Sequence, residues 1–358
     1  MLKDYIENYL TNKGWEKKIE NGRQIFCKNN NLEHQKNTKK SKCVHLQQII
    51  DNIKNYFQIK NYHDIHFDSV INPYRDTDYI IAALQTINKI KYNDIGYDKL
   101  SWYSFQPCIR PIPNGKKISD GFIPSFVNVG TISIGQNKDG YCNMIEDWIS
   151  ILSKCSIYIS RIKLITKEKT KAYNGMGLSI YVDDFEIGQA NYYKTKDVFD
   201  LDDDTFVLDF GFGLERIAWA SNWFDDFNHI YQSTEDYFLH NDILSALINK
   251  QVLLIMSNVQ PNSSKFGLKL RTDFQKIFSI CKRMDVNESI KFAYNYWKQF
   301  ISTEKTLEDV YTIWSNEINY LINTQLSNCL NIKPNIKRLK QNSCDFCTEI
   351  FREGVRRK

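Results

Sequence analysis

No stretch of the 358 residues supplies the roughly 20 consecutive apolar residues that a bilayer-spanning helix needs. Met1 to Leu10 lack the apolar core of a secretory signal. The expectation is a cytoplasmic chain with no membrane partner. There the nine cysteines are expected to be reduced, and their odd number argues against a full disulfide framework. The charge is not one-sided: a net +5 falls well short of a strongly cationic DNA-binding surface. It permits a nucleic-acid partner without demanding one. Internal repeats, low-complexity linkers and the regular βαβ alternation of a doubly wound fold are all missing.

What is present is enough for a core. Hydrophobic residues make up 42% and aromatics 14%, so the interior should be rich in Tyr and Phe. The length suits one large domain or two ordinary ones. Leu2, Tyr5, Ile6, Tyr9 and Leu10 recur at helical spacing, with Gly14 to end the helix. Asn21 to Lys42 is polar and reads as a surface loop. A helix is expected over Leu46–Phe57, and Asp76 or Asp78 is placed to cap another through Tyr79, Ile80, Ala83 and Leu84. Phe122–Ile134, Ile157–Ile165, Leu178–Val182 and Thr205–Asp209 predict strands, with a helix at Asn143–Ser153. Beyond Asn241 the pattern is helical: Ile243–Met256, Phe266–Arg283, Ile290–Ile301 and Leu307–Leu326. The expected fold class is α+β, an antiparallel sheet flanked by helices and followed by an all-helical C-terminal region. The expected boundary lies between Phe227 and Asn241, dividing the chain into 1–235 and 236–358.

The sharpest motif runs from Leu208 to Ile217: Asp209 ends an apolar strand, Gly211 and Gly213 open a helix, and Arg216 lies on its first turn. Glycines permit close backbone approach. A helix start offers free N–H groups, and a guanidinium can fork onto a phosphate. This run resembles motif 3 of class II aminoacyl-tRNA synthetases, and Gly213-Leu214-Glu215-Arg216-Ile217 resembles the alanyl branch. Gln106-Pro107-Cys108-Ile109-Arg110, a loop, and Phe126 to Gly135 resemble the same family's motif 2. Asp183 to Asn191 resembles the strand before motif 3.

The resemblance implies a catalytic core that uses ATP and Mg²⁺ to activate an amino acid, alanine first, and passes it to tRNA. Arg110 and Arg216 would act on the phosphates, with Asn128, Gly211 and Gly213 also against the nucleotide. Glu186 would hold Mg²⁺, which commonly takes one or two carboxylates plus phosphate oxygens. Asp209 would salt-bridge the substrate ammonium, and Gln189 and Gly211 would line the amino-acid pocket. Val127 and Asn128 stand where the family carries glutamate and methionine, and Gly188 replaces a bulkier residue, so the pocket is expected to differ from one built for alanine. Asp68 to Pro73 is a match to the degenerate motif 1. Val259 to Arg271 resembles a segment joining tRNA-contacting helices, which nominates Lys265, Lys269 and Arg271 for tRNA phosphates; a solvated helix face accounts for them equally well. The family's editing domain and C-terminal oligomerising domain have no counterpart, so a stand-alone core is expected. Transfer to a carrier protein or small amine, and a non-catalytic regulatory role, are the alternatives. Cys344 and Cys347 form one C-x-x-C, half of what a structural zinc site takes.

Overall fold

The computed structural model describes residues 2–28, 44–74, 76–92, 101–167, 175–200, 204–222, 227, 242–280 and 286–330. The expected domain boundary, the Cys344/Cys347 pair and the basic tail lie outside them. So does most of the expected loop before Lys42.

The α+β expectation holds. Among the described residues nine strands form one sheet: β1 (Glu16–Glu20), β2 (Arg23–Cys27), β3 (His63–Asp64), β4 (Ser101–Ile109), β5 (Ser125–Gln136), β6 (Ile162–Lys167), β7 (Met176–Val182), β8 (Phe185–Lys194) and β9 (Phe206–Gly213). Their order is β1-β2-β6-β7-β8-β9-β5-β4-β3. Every pairing is antiparallel except β3 with β4. The helices include α1 (Leu2–Asn12), α2 (Leu46–Ile59), α3 (Thr86–Tyr92), α4 (Lys138–Lys154), α5 (Thr195–Phe199), α6 (Leu214–Asn222) and four C-terminal ones. Those four are α7 (Asp242–Met256), α8 (Lys265–Ile280), α9 (Val286–Trp297) and α10 (Leu307–Leu330).

Strand alternation sorts the central sheet into two unlike faces. One face carries Val127, Val129, Ile187, Ala190, Leu208, Phe210 and Phe212, all buried in the main core. Helix α4 lies on it: Trp148 stacks on Phe212 with centroids 3.8 Å apart, and Tyr141 donates its hydroxyl to the Ala190 carbonyl at 2.9 Å. The other face carries Gln189, Asn191, Asp209, Gly211, Gly213, Asn128 and Gly130, aligned across β8, β9 and β5. A smaller cluster from α3, α5 and the strand ends, including Ile90, Ile132, Tyr193, Val198 and Val207, plugs one end of that face.

Three local expectations give way. Residues 23–27 form β2 rather than loop, because Phe26 alternates inward to 1% exposure. No α-helix starts at Asp76 or Asp78; Tyr79 bridges Ile71, and only a 3-10 turn forms at Ala83–Gln85. Polar side chains lock that segment, with Gln85 accepting the Ile81 N–H at 2.6 Å and donating to Thr77 Oγ1 at 2.9 Å. Gly211 and Gly213 remain in β9, and the helix opens one residue later at Leu214.

The C-terminal helices dock on the sheet's β4 side. Phe300 stacks on Phe105, and the Val70 N–H donates to Ser257 Oγ at 3.2 Å. Among the described residues no helix is long and apolar enough to cross a membrane.

Candidate active site

The polar face is a trough floored by glycine. Gly211 pairs with Gly130 on one side and Gln189 on the other. A methyl placed on Gly211 would meet only the Asn128 carboxamide, at 3.2 Å. Four residues of strand, on the order of 14 Å, separate Asp209 from Gly213. Different chemistry sits at each end.

At the Gly213 end two guanidiniums converge. Arg216 is two residues into α6, and Gly213 lets its stem fold back, the missing methyl falling 3.3 Å from Arg216 Cδ. Nη2 and Nε donate to the Gly121 carbonyl at 3.0 and 3.3 Å, and Nη1 to the Glu186 carbonyl at 2.8 Å. The guanidinium lies between two aromatic rings, 5.3 Å from Phe122 and 5.0 Å from Phe185. Burial lowers its pKa from the ordinary arginine range, opposed by Glu186 and reinforced by the like charge of Arg110. Arg110 follows the end of β4, solvent-exposed, its guanidinium 5.1 Å from the Phe126 ring and donating to the Ile81 carbonyl at 2.5 Å.

At the other end stands Asp209, 5% exposed. Its Oδ2 accepts from Tyr193 Oη at 3.1 Å and Asn191 Nδ2 at 3.4 Å. Burial pushes its pKa up to about 6, and these two donors together with Lys167 only partly offset that. Asn191 Oδ1 is buried and has no hydrogen-bond partner among the described residues.

Along the β8 wall, Glu186 Oε1 accepts from Gln189 Nε2 at 2.9 Å, and Gln189 Oε1 accepts from Lys167 Nζ at 2.6 Å. Among the described residues no three His, Cys, Asp or Glu side chains gather to hold a metal. Glu186 stands on this wall as a lone carboxylate. That donor set fits a Mg²⁺ held chiefly by phosphate oxygens.

The sequence-nominated residues thus divide. Arg110, Arg216 and Glu186 stand toward the Gly213 end, Asp209 stands at the other, and Gln189 lies midway, opposite Gly211 on the floor. Asn128 is on the same face, but its amide is engaged within the protein, accepting from the Ala83 N–H at 2.8 Å and donating to the Phe212 carbonyl at 3.3 Å. Gly188 does not line the pocket. It faces the core, where a methyl would come 2.3 Å from the Phe212 ring. Lys265 and Lys269 both pair with Asp78, and Arg271 pairs with Glu317 at 2.8 Å.

Sequence reasoning missed Lys167, Asn191, Tyr193 and Phe122. Asn191 and Tyr193 were findable, since they continue the every-second-residue row that begins at Gln189. It also missed Glu215, which is 2% exposed and accepts the Val127 N–H on both oxygens, at 3.0 and 3.2 Å.

No family model matches the sequence, and no curated protein does. Solved structures similar to it include two of pyrrolysyl-tRNA synthetase from Desulfitobacterium hafniense. One is 11% identical over 56% of this chain and 76% of that one, with a TM-score of 0.43. The other is 12% identical over 57% and 78%, with a TM-score of 0.42.

Proposed function

We propose that this chain activates an amino acid with ATP and passes the acyl group to a tRNA. One observation carries the reading: a glycine-floored trough holds two arginines toward one end and, at the other, a buried carboxylate with no ion-pair partner among the described residues. An α-amino acid has the matching polarity. Its ammonium would pair with Asp209, and its carboxylate would point along the floor toward Arg110 and Arg216.

The chemistry follows from that orientation. A carboxylate oxygen attacks the α-phosphorus of ATP, the bond to the bridging oxygen breaks, and pyrophosphate leaves. Negative charge builds on the phosphoryl oxygens, and fixed guanidiniums stabilise it without reorganising. Phe122 and Phe185 flank the Arg216 guanidinium at 5.3 and 5.0 Å and help hold it in place. Mg²⁺ would arrive with the nucleotide and neutralise phosphate charge, with Glu186 as its protein ligand.

The tRNA step rests on the motif resemblance. Lys265, Lys269 and Arg271 are already paired with Asp78 and Glu317, so tRNA would have to displace carboxylates to reach them.

The test is ATP–pyrophosphate exchange with a panel of amino acids, followed by transfer to total tRNA. Amino-acid-dependent exchange and charging are expected. Exchange without charging would sink the tRNA half, and its absence with every amino acid would sink activation.

A further inference from the structure

Lys167 is a trough cation that the activation chemistry leaves without a task. It ends β6, in the cross-strand row Lys167–Gly177–Asn191–Asp209. Gly177 puts no side chain in its way. The half-buried ammonium reaches Gln189 Oε1 at 2.6 Å, and Gln189 Nε2 reaches Glu186 at 2.9 Å. The charges at the two ends orient the carboxamide, oxygen toward the lysine and nitrogen toward the carboxylate. An ammonium has three donors, and Gln189 accepts one. Among the described residues no second acceptor meets it, which leaves two for a ligand.

Asn191 supplies an independent sign that a ligand belongs here. It stands between Lys167 and Asp209 in the row, 7% exposed, with its Oδ1 buried and unpartnered. An unmatched buried acceptor is costly, and an incoming N–H relieves that cost. The Asp209 end therefore offers two acceptors to one ammonium, and the Lys167 cation lies across the sheet from them.

We propose that Lys167 selects the substrate: an α-amino acid whose side chain ends in an oxygen acceptor, a carboxylate or a carboxamide. Its ammonium sits on Asp209 and Asn191, and its side-chain oxygen takes the free donors of Lys167. This rests on the activation reading above. The α-carboxylate runs up the trough to the arginines, so the side chain is left to run across β8 toward β6. A methyl side chain would leave Lys167 facing an apolar group. A carboxylate gains most, because a charge-assisted hydrogen bond is roughly twice as strong as a neutral one.

The test is calorimetric binding of the free amino acids to the full chain, without ATP, alongside pyrophosphate exchange, for the wild type and Lys167→Met. Aspartate, glutamate, asparagine or glutamine should bind at least about tenfold more tightly than alanine. Lys167→Met should weaken that ligand by about 10- to 100-fold and leave alanine within about threefold. The ratio of acid to amide binding identifies which acceptor is read. A wild-type preference for alanine or another apolar amino acid overturns the assignment, as does an unchanged ranking in Lys167→Met. Selective binding without exchange would keep the assignment and sink activation. Exchange that favours alanine would do the reverse, and no binding of any amino acid would sink both.

Discussion

Tyr296 reaches from the C-terminal helices and donates its hydroxyl to Glu215 at 2.6 Å. Glu215 precedes Arg216 on α6 and also holds the Val127 N–H of β5. One buried carboxylate thus fastens the arginine-bearing helix to the sheet and to the helical region at once.

That fastening should show in pH dependence. Burial pushes the Glu215 carboxyl up to about 7 from an ordinary 4.5, only partly offset by Tyr296 and backbone hydrogen bonds. The folded state therefore binds this proton more tightly than the unfolded state. Its contribution to stability is fully present below about 4.5 and is lost as pH rises through about 7. At about 1.4 kcal/mol per unit the loss is on the order of 3 kcal/mol. Glu215→Gln keeps an acceptor and cannot ionise, so urea unfolding at pH 5 and pH 8 should differ less than in the wild type. A variant with the wild-type difference would assign the titration elsewhere. Tyr296→Phe leaves the carboxylate short of a donor and should cost about 1–3 kcal/mol.

Asp209 should separate stability from binding. Its carboxyl, at about 6 rather than 3.8, contributes stability that is lost as pH rises through about 6. Binding has the opposite sign, because only the ionised form pairs with an ammonium. Amino-acid affinity should rise with pH through about 6 and then level. Asp209→Asn should raise the urea midpoint at pH 8 while weakening amino-acid binding by about 10- to 100-fold. Binding isotherms and denaturation at the same pH check both halves, and a weakened midpoint would show that the ionised carboxylate is structurally needed.

Arg216 should be intolerant even of lysine. Its fork serves two carbonyls while its plane lies between Phe122 and Phe185. An ammonium lacks both the fork and the plane. Arg216→Lys should lower kcat for pyrophosphate exchange by about 10²–10³-fold. Arg110 is exposed and makes one such contact, so Arg110→Lys should retain the wild-type melting temperature and lose exchange all the same. Wild-type exchange in either variant would remove that arginine from the chemistry.

The ends of the trough were legible in the sequence because each lies in a short contiguous run. Asp209, Gly211, Gly213 and Arg216 follow one another along a strand and a helix start, where period and motif coincide. The β8 wall was half legible: Glu186 and Gln189 lie in a motif, but Asn191 and Tyr193 matter only because β9 puts Asp209 beside them. Lys167 comes from a strand two places away in the sheet, a pairing no local pattern encodes. The missing helix at Asp76 has a different, local cause: Asn72, Thr77 and Gln85 side chains bond the backbone of Tyr74, Tyr79 and Ile81 in an extended loop instead.

Two glycines make the sharpest contrast between motif position and physical role. Gly188 occupies a motif site that suggested pocket lining, yet it faces the core. A methyl there would fall 2.3 Å from the Phe212 ring, which is pinned 3.8 Å from Trp148 and has no room to retreat. Gly188→Ala should therefore cost about 1–3 kcal/mol by overpacking. Where the variant folds, its affinity for amino acid should be unchanged. Gly211 faces the trough, and its methyl would meet only the Asn128 carboxamide at 3.2 Å. Gly211→Ala should leave the unfolding free energy within about 1 kcal/mol, since a strand glycine gives up some chain entropy to alanine's benefit. The same methyl would stand where the substrate backbone crosses the floor, so amino-acid and ATP affinities should both fall. Unfolding and binding measured on the pair decide the matter: equal binding losses in the two variants would mean that the trough is not the substrate path.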